Sequence, residues 1–111
     1  MFGLFSPPIA FRPQTGQAGR PYVELPDIEP GQEKAVLRAL ARMGRVRIRS
    51  KANDFGQVTI EFQAAFESYS LHCNGGGSFI RGEGGGEEIA TLLRFMRKSR
   101  RFTERTDKRK I

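Results

Sequence analysis

Residues 45–63 read RVRIRSKANDFGQVTIEFQ, and the alternation in this stretch organises the predicted sheet. Cations occupy every second position in its first half, and apolar residues do so in its second half. Because successive side chains of a β-strand point to opposite faces, each half predicts a strand with one apolar face and one polar face. A central hairpin of about 45–51 and 57–63 is therefore expected.

The two predicted strands have a defined register if residues 52–56 form the turn. Lys51 then lies opposite Gln57, and Arg47 lies opposite Glu61. In this register the polar side chains of both strands share one face and the apolar side chains share the other. The cations predicted to lie along the polar face, about 6.5 Å apart, are Arg45, Arg47, Arg49 and Lys51.

Two helices are expected to pack on the apolar face of this hairpin. In residues 30–43 apolar side chains recur at helical spacing, Pro30 suits the first helical position, and Gly44 suits a left-handed stop. Residues 86–101 repeat the apolar pattern, with glutamates at the start and cations at the end, as the helix dipole favours. The predicted fold class is α+β, a small antiparallel sheet of three to five strands packed on two helices.

Shorter strands are expected beside the hairpin. Tyr22–Leu25 alternates between apolar and polar residues. Residues 64–73 allow two interpretations, a short helical turn or a strand, and the strand is favoured because Asn74-Gly75 is typical of a hairpin turn. Its partner strand would be Ser78–Arg81, and the glycines that follow predict a flexible linker.

The ends of the chain differ in composition from its centre. Residues 1–21 hold four of the six prolines and predict an extended or disordered N-terminal arm. Residues 22–102 form the predicted single α+β domain, and residues 103–111 form a charged flexible tail. The arm either docks, on this domain or on a partner, or remains a free leader; its large apolar residues are Phe2, Leu4, Phe5, Ile9 and Phe11.

Charge and composition restrict the function. The net charge of +7 and the isoelectric point of about 10.3 are compatible with nucleic acid, an anionic membrane surface or an acidic protein, and argue against a binder of cations. No apolar run is long enough to span a bilayer, so no membrane is expected as a partner. The single cysteine, Cys73, cannot form an internal disulfide, which fits a reducing, cytoplasmic setting.

Nothing in the sequence predicts catalysis, a cofactor or a metal. His72 and Cys73 are the only histidine and the only cysteine, and as neighbours on a strand they point to opposite faces. The glycine-rich stretches lack the Lys and the Ser or Thr that a phosphate-binding loop needs. Asp54, Glu61 and Gln63 faintly resemble a metal-dependent nuclease core, but the usual lysine is missing. A non-enzymatic protein is therefore expected.

The predicted interface is built from arginines. Fifteen of the 19 Lys and Arg residues fall in two stretches, 38–51 and 94–110. Arginine predominates in the first stretch and can contact phosphate with two parallel hydrogen bonds. The alternative is a solvated sheet face that charge keeps soluble and on which Arg47 is paired with Glu61. The predicted nucleic-acid-binding residues are Arg38, Arg42, Arg45, Arg47, Arg49, Lys51, Arg100 and Arg101.

Aromatic stacking is a second way to bind a nucleic acid. Phe62 falls on the face opposite the arginines and is expected in the core. Phe55, in the predicted turn, is the stacking candidate, and the alternative is that its ring folds back onto the domain.

The segment from Leu40 through GRVRIR (44–49) to VTIEF (58–62) resembles the helix–hairpin of the C-terminal domain of ParB partition proteins. The resemblance covers about a fifth of the chain, and the chain then departs from it with a glycine-rich stretch. It implies an element that dimerises and binds DNA without sequence preference.

These features predict a small basic non-enzymatic nucleic-acid-binding protein, with DNA slightly favoured over RNA, that contacts the phosphate backbone through an arginine-lined strand. The alternative is a protein–protein interaction module, an adaptor or an inhibitor, that docks on an acidic protein surface.

Overall fold

A computed structural model of the chain describes residues 7–105. Seven strands and two α-helices follow one another in this range: β1 (Ile9–Thr15), β2 (Pro21–Leu25), α1 (Glu33–Leu40), β3 (Arg47–Asp54), β4 (Gln57–Ala64), β5 (Glu67–Cys73), β6 (Ser78–Gly82), α2 (Glu87–Lys98) and β7 (Phe102–Glu104). The strands form one sheet in the order β3-β4-β5-β6-β2-β1-β7. All neighbours are antiparallel except β1 and β7, which are parallel.

The prediction of three to five antiparallel strands is wrong, because the sheet is mixed and has seven strands within residues 7–105. The sheet gains β1 from the predicted arm 1–21 and β7 from the junction with the predicted tail 103–111. Phe11 of β1 is fully buried, and Ile9 pairs with Phe102 of β7. The parts of the arm and tail at 1–6 and 106–111 lie outside the described residues.

β3 and β4 form a hairpin at one edge of the sheet instead of at its predicted centre, and its register also differs from the predicted one. The turn contains only two residues, Phe55 (φ 53°) and Gly56 (φ 80°). Positive φ at both positions matches the right-handed twist of the two strands, so a two-residue turn closes the hairpin and β3 continues through residue 54. Lys51 therefore lies opposite Ile60 instead of Gln57.

A β-bulge interrupts β3 at Arg49. Ile48 lies opposite Phe62, whereas Ser50 lies opposite the next residue along, Glu61. Arg49 is therefore an extra residue on β3. Such a residue shifts the alternation of side chains between the two faces by one position.

The helices are shorter than the predicted 30–43 and 86–101. α1 begins after Pro30 because Gly31, at φ 102°, turns the chain, and the Glu33 carboxylate accepts the Gly31 N–H at 2.6 Å. Gly44 does not adopt the predicted left-handed conformation. Instead, a Cβ on Gly44 would lie 3.1 Å from the backbone nitrogen of Ala65, so the glycine permits close approach to the β4–β5 turn.

The core lies between one face of the sheet and the two helices. Apolar residues at every second position of β4 and β5 are buried, as in Ile60 and Leu71, and they pack with the apolar sides of α1 and α2. Residues 64–73 are therefore strand rather than helix, apart from the β4–β5 turn at 65–66. Alternate side chains on the other face, such as Thr59 and Ser70, remain partly exposed, so that face is open within residues 7–105.

The loop Gly82–Gly86, which the sequence predicts as a flexible linker, is organised around Glu88. This side chain is only 4% exposed, and its carboxylate accepts hydrogen bonds from the backbone N–H groups of Gly84 and Gly86. A Cβ on Gly82 would overlap the carboxylate. Glu88 thus ties the glycine-rich loop to the first turn of α2.

Candidate nucleic-acid interface

The eight predicted cations are all exposed. Only Arg49 among them forms an ion pair with a carboxylate of residues 7–105, its Nη1 lying 3.4 Å from Oε1 of Glu83. The cations without such a pair in that range are Arg38, Arg42, Arg45, Arg47, Lys51, Arg100 and Arg101. Their charges are directed to solvent and are accessible to an anionic partner.

The cations of β3 do not all lie along one polar face, as the sequence predicts. Cross-strand partners share a face, so Lys51, opposite the buried Ile60, lies on the helix-covered side. Arg47, opposite Gln63, lies on the open side, and the bulge between Arg47 and Lys51 accounts for the difference. β3 is an edge strand, and it carries cations on both sides of the sheet edge.

The expected pairing of Arg47 with Glu61 is absent. Glu61 lies opposite Ser50 and accepts a hydrogen bond from the Ser50 hydroxyl at 3.0 Å. The register change therefore removes the carboxylate that the sequence assigned to Arg47.

The ends of the two helices bring together cations that are distant in sequence. Arg42 follows α1, and it lines a depression of about 370 Å³ together with Lys98, Arg100 and Arg101 from the end of α2. These four residues are called the helix-end basic cluster. None of them forms an ion pair with another residue of the described chain, 7–105. Lys98 also lies in the last turn of α2, where the helix dipole favours a cation.

A second depression, of about 470 Å³, adjoins this cluster along the chain. Arg45 and Arg47 line it, with Met43 and Gly44 between them and Arg42. Phe66 stands at the rim with its ring fully exposed. The basic surface therefore continues from the end of α2, through the segment after α1, to the edge of β3.

The β4–β5 turn beside this depression is strained. Ala65 and Phe66 have φ values of 52° and 69°, and neither is a glycine. Each left-handed residue of this kind costs about 1–2 kcal/mol. Phe55 in the β3–β4 turn is likewise left-handed and 98% exposed, so its ring does not fold back onto the domain.

The open face of the sheet carries an aromatic group that the sequence does not reveal. Tyr22, His72 and Phe79 lie on the adjacent strands β2, β5 and β6. The rings of His72 and Phe79 are stacked, with centroids 4.6 Å apart and planes at 12°. Tyr22 meets Phe79 edge to face at 5.8 Å. Alternation alone places each ring outward, but their meeting depends on the pairing of β2 with β6.

A cleft of about 500 Å³ opens beside Tyr22 and Phe79 and is called the aromatic cleft. Arg20 and Arg81 also line it, and no lining residue is acidic. Arg81 is exposed and forms no ion pair within residues 7–105, while Arg20 donates one hydrogen bond to the Gly84 carbonyl at 3.1 Å. The cleft therefore combines π-faces with positive charge.

The surroundings of His72 favour its neutral form. Burial lowers the pKa of His72 from its ordinary value of 6.5, the charge of Arg81 lowers it further, and Glu61 opposes the shift. One ring nitrogen lies 2.9 Å from the Ser70 hydroxyl and the other lies 3.5 Å from the Thr59 hydroxyl. The neutral ring thus has hydroxyl neighbours on both sides and stacks on Phe79 as an uncharged aromatic group.

Residues 7–105 contain no cluster of acidic, histidine or cysteine side chains that would hold a metal ion. Cys73 is fully buried, and burial raises the pKa of its thiol. His72 and Cys73 point to opposite faces of β5, so they form no catalytic pair. No helix in the described range is long and apolar enough to cross a membrane.

No family model, curated protein or solved structure matches the chain. The resemblance of residues 40–62 to ParB partition proteins therefore stays a prediction. The functional inference rests on the arrangement of the side chains.

Proposed function

We propose that this protein is a small basic non-enzymatic nucleic-acid-binding protein, with DNA slightly favoured over RNA, that contacts the phosphate backbone. The observation that supports this most directly is the helix-end basic cluster. Arg42 lines the same depression as Arg100 and Arg101, and none of the three forms an ion pair inside residues 7–105. The single buried cysteine fits a reducing compartment, and we place the protein in the cytoplasm as part of the proposal.

The chemistry of the basic surface suits phosphate. Seven of the eight predicted cations form no ion pair within residues 7–105, and six of these seven are arginines. The planar guanidinium group of arginine binds phosphate oxygens with two parallel hydrogen bonds. Because all seven are exposed, binding requires little desolvation of buried charge. Each neutralised phosphate of a duplex releases condensed counterions, so seven contacts would give a slope of about −6 in log K against log salt.

The phosphate contacts are expected along the helix-end basic cluster and the depression beside it. Arg45 and Arg47 extend the charge from Arg42 to the edge of β3. Lys51 lies on the other side of that strand, and Arg49 is held by Glu83. The proposed interface therefore differs from a straight arginine-lined strand, with the helix ends contributing as much charge as the strand.

The test is a titration of labelled single-stranded and double-stranded DNA and RNA at several salt concentrations. We expect the double variant Arg42→Gln/Arg101→Gln to bind roughly 10-fold more weakly and to lower the salt slope by about 2. Lys34→Glu is the matched control, since it changes the net charge equally on an exposed residue at the other end of α1. Absence of binding by the wild-type protein at low salt, or an equal loss in both variants, contradicts the proposal.

A second candidate function is a protein-interaction module that docks on an acidic protein. Phe66 favours it, because a fully exposed ring on a strained turn beside Arg45 and Arg47 resembles an anchor within a basic patch. Capture from a lysate with and without nuclease treatment distinguishes the two functions. Partners that depend on intact nucleic acid favour the first, and partners that survive the nuclease favour the second.

A further inference from the structure

The aromatic cleft lies on the open face of the sheet, away from the helix-covered side where the helix-end basic cluster lies. Its volume of about 500 Å³ falls within the range of sites for small molecules. Tyr22 and Phe79 supply apolar surface, and Arg20 and Arg81 supply charge without a neighbouring carboxylate in the lining. Phosphate contacts at the helix ends do not require this combination.

The aromatic wall of the cleft is held in place before any ligand arrives. Tyr22 lies opposite Arg81 in the β2–β6 pairing, and Phe79 lies opposite His72 in the β5–β6 pairing. The His72 ring is stacked on one face of Phe79 and fixes that ring in place. Gly16 borders Tyr22 so closely that a Cβ would lie 3.4 Å from the Tyr22 ring. A ligand therefore meets rings that have already lost most of their rotational freedom, which lowers the entropic cost of binding.

We propose that the aromatic cleft binds an unpaired nucleotide of a single-stranded nucleic acid. The planes of Tyr22 and Phe79 lie at 71°, so the base stacks on one of these rings and contacts the other without stacking on it. The adjoining phosphate contacts Arg81 and Arg20. A guanidinium carries five N–H donors, so Arg20 retains donors after its hydrogen bond to the Gly84 carbonyl. This inference rests on the proposed function and narrows its substrate class to single strands.

A base in a duplex does not fit this arrangement. Its faces are covered by neighbouring bases, and entry into the cleft requires the base to leave the stack. Stacking on an aromatic side chain accepts any base, since every base has a π-face. We therefore expect preference for single strands over duplexes, with little preference among sequences.

The test compares single-stranded and duplex oligonucleotides of equal length at one salt concentration. We expect the wild-type protein to bind the single strand more tightly. Tyr22→Leu and Phe79→Leu should weaken single-strand binding roughly 10-fold and leave duplex binding and its salt slope unchanged. Ile48→Ala is the control, because it removes an exposed apolar side chain that does not line the cleft.

A second measurement does not depend on the basic surface. Adenosine monophosphate is titrated into isotope-labelled protein, and the amide shifts should concentrate at residues 16–22 and 79–82. Arg81→Gln should reduce them, with circular dichroism confirming an unchanged fold.

The possible failures are distinguishable. If the protein binds nucleic acid but Tyr22→Leu and Phe79→Leu change nothing, the cleft inference is wrong and the proposed function stands. If the wild-type protein binds neither single strands nor duplexes, both are wrong. Shifts by the mononucleotide that lie outside the cleft also contradict the inference.

Discussion

The imidazole of His72 lies parallel to the ring of Phe79, with the centroids 4.6 Å apart. The two residues are directly opposite each other in the β5–β6 pairing. Protonation of His72 would place a positive charge against the Phe79 ring and near the positive charge of Arg81. Burial and Arg81 lower the pKa of His72, against the opposing charge of Glu61, so the surroundings of the stack favour the neutral ring.

We predict that this stack makes folding stability depend on pH near neutrality. The folded state lowers the pKa of His72 below its ordinary 6.5, so the unfolded chain binds the proton more readily. The stabilisation is therefore present above the unfolded pKa and is lost as pH falls through the folded pKa. The urea midpoint should fall as the pH drops below about 6.5, and His72→Gln should show a smaller fall. Parallel pH profiles for the two proteins would contradict the prediction.

A second prediction concerns Glu88, which is buried beneath the glycine-rich loop. Glu88→Gln replaces one carboxylate oxygen by an N–H donor that faces the N–H of Gly84 or Gly86, so unfolding free energy should drop by about 1–3 kcal/mol. Gly82→Ala should also destabilise the fold, since its Cβ would overlap the carboxylate. Chemical unfolding measures both, and Gly75→Ala, with nothing near its Cβ, is the control.

The pKa of Glu88 adds a pH signature to that variant. Burial raises this pKa, but hydrogen bonds from the backbone N–H groups of Glu88, Gly84 and Gly86 outweigh burial and bring it below its ordinary value of 4.5. The contribution is therefore present above about pH 4.5 and is lost as pH falls further. Glu88→Gln should flatten the acid limb of the stability profile, whereas the His72 variant changes the limb nearer neutrality.

A third prediction concerns the exposed edge of the sheet. All eight residues of β3 are exposed, and Ile48 retains 57% of its surface, so this edge would pair readily with another strand. The bulge and the cations of β3 oppose such pairing. We expect Arg47→Thr/Lys51→Thr to self-associate, measured as an increase in sedimentation coefficient with concentration. Lys34→Ala/Arg38→Ala removes the same charge from α1 and should leave the sedimentation unchanged.

The sequence predicts the strands of the hairpin but not their register. Asn53 and Asp54 are frequent in turns, whereas a phenylalanine such as Phe55 rarely takes positive φ, so the local pattern favours a longer turn. Alternation also gives no sign of the bulge at Arg49, because a bulge is defined by the pairing of β3 with β4 and not by the sequence of β3 alone. The change of register then alters the cross-strand partner of each β3 cation, and the bulge puts Lys51 on the opposite face from Arg47.

The remaining differences have tertiary causes. Prolines argue against a strand, yet Pro13 lies in β1. Only residues 9–11 of β1 pair with β7, so the missing N–H of Pro13 breaks no pairing with β7. Arg42 and Arg100 line one depression only because the tertiary fold brings the ends of α1 and α2 near each other, and Tyr22 and Phe79 meet only because β2 pairs with β6. No local pattern encodes these contacts. The exposed cations themselves were identifiable from composition and spacing.

The pairing of β1 with β7 joins the two ends of the described chain. Strands β3 to β6 are successive neighbours joined by short turns, so they assemble from local contacts. The β1–β7 pairing instead joins Ile9 to Phe102, which is distant in sequence. Contacts between such distant residues close a long loop and form late. During synthesis from the N-terminus, β1 is the first strand made and stays without β7 until the last strand of this sheet exists. The meander β3–β6 is therefore the folding nucleus we expect, and the pairing of β1 with β7 is the step that completes the sheet.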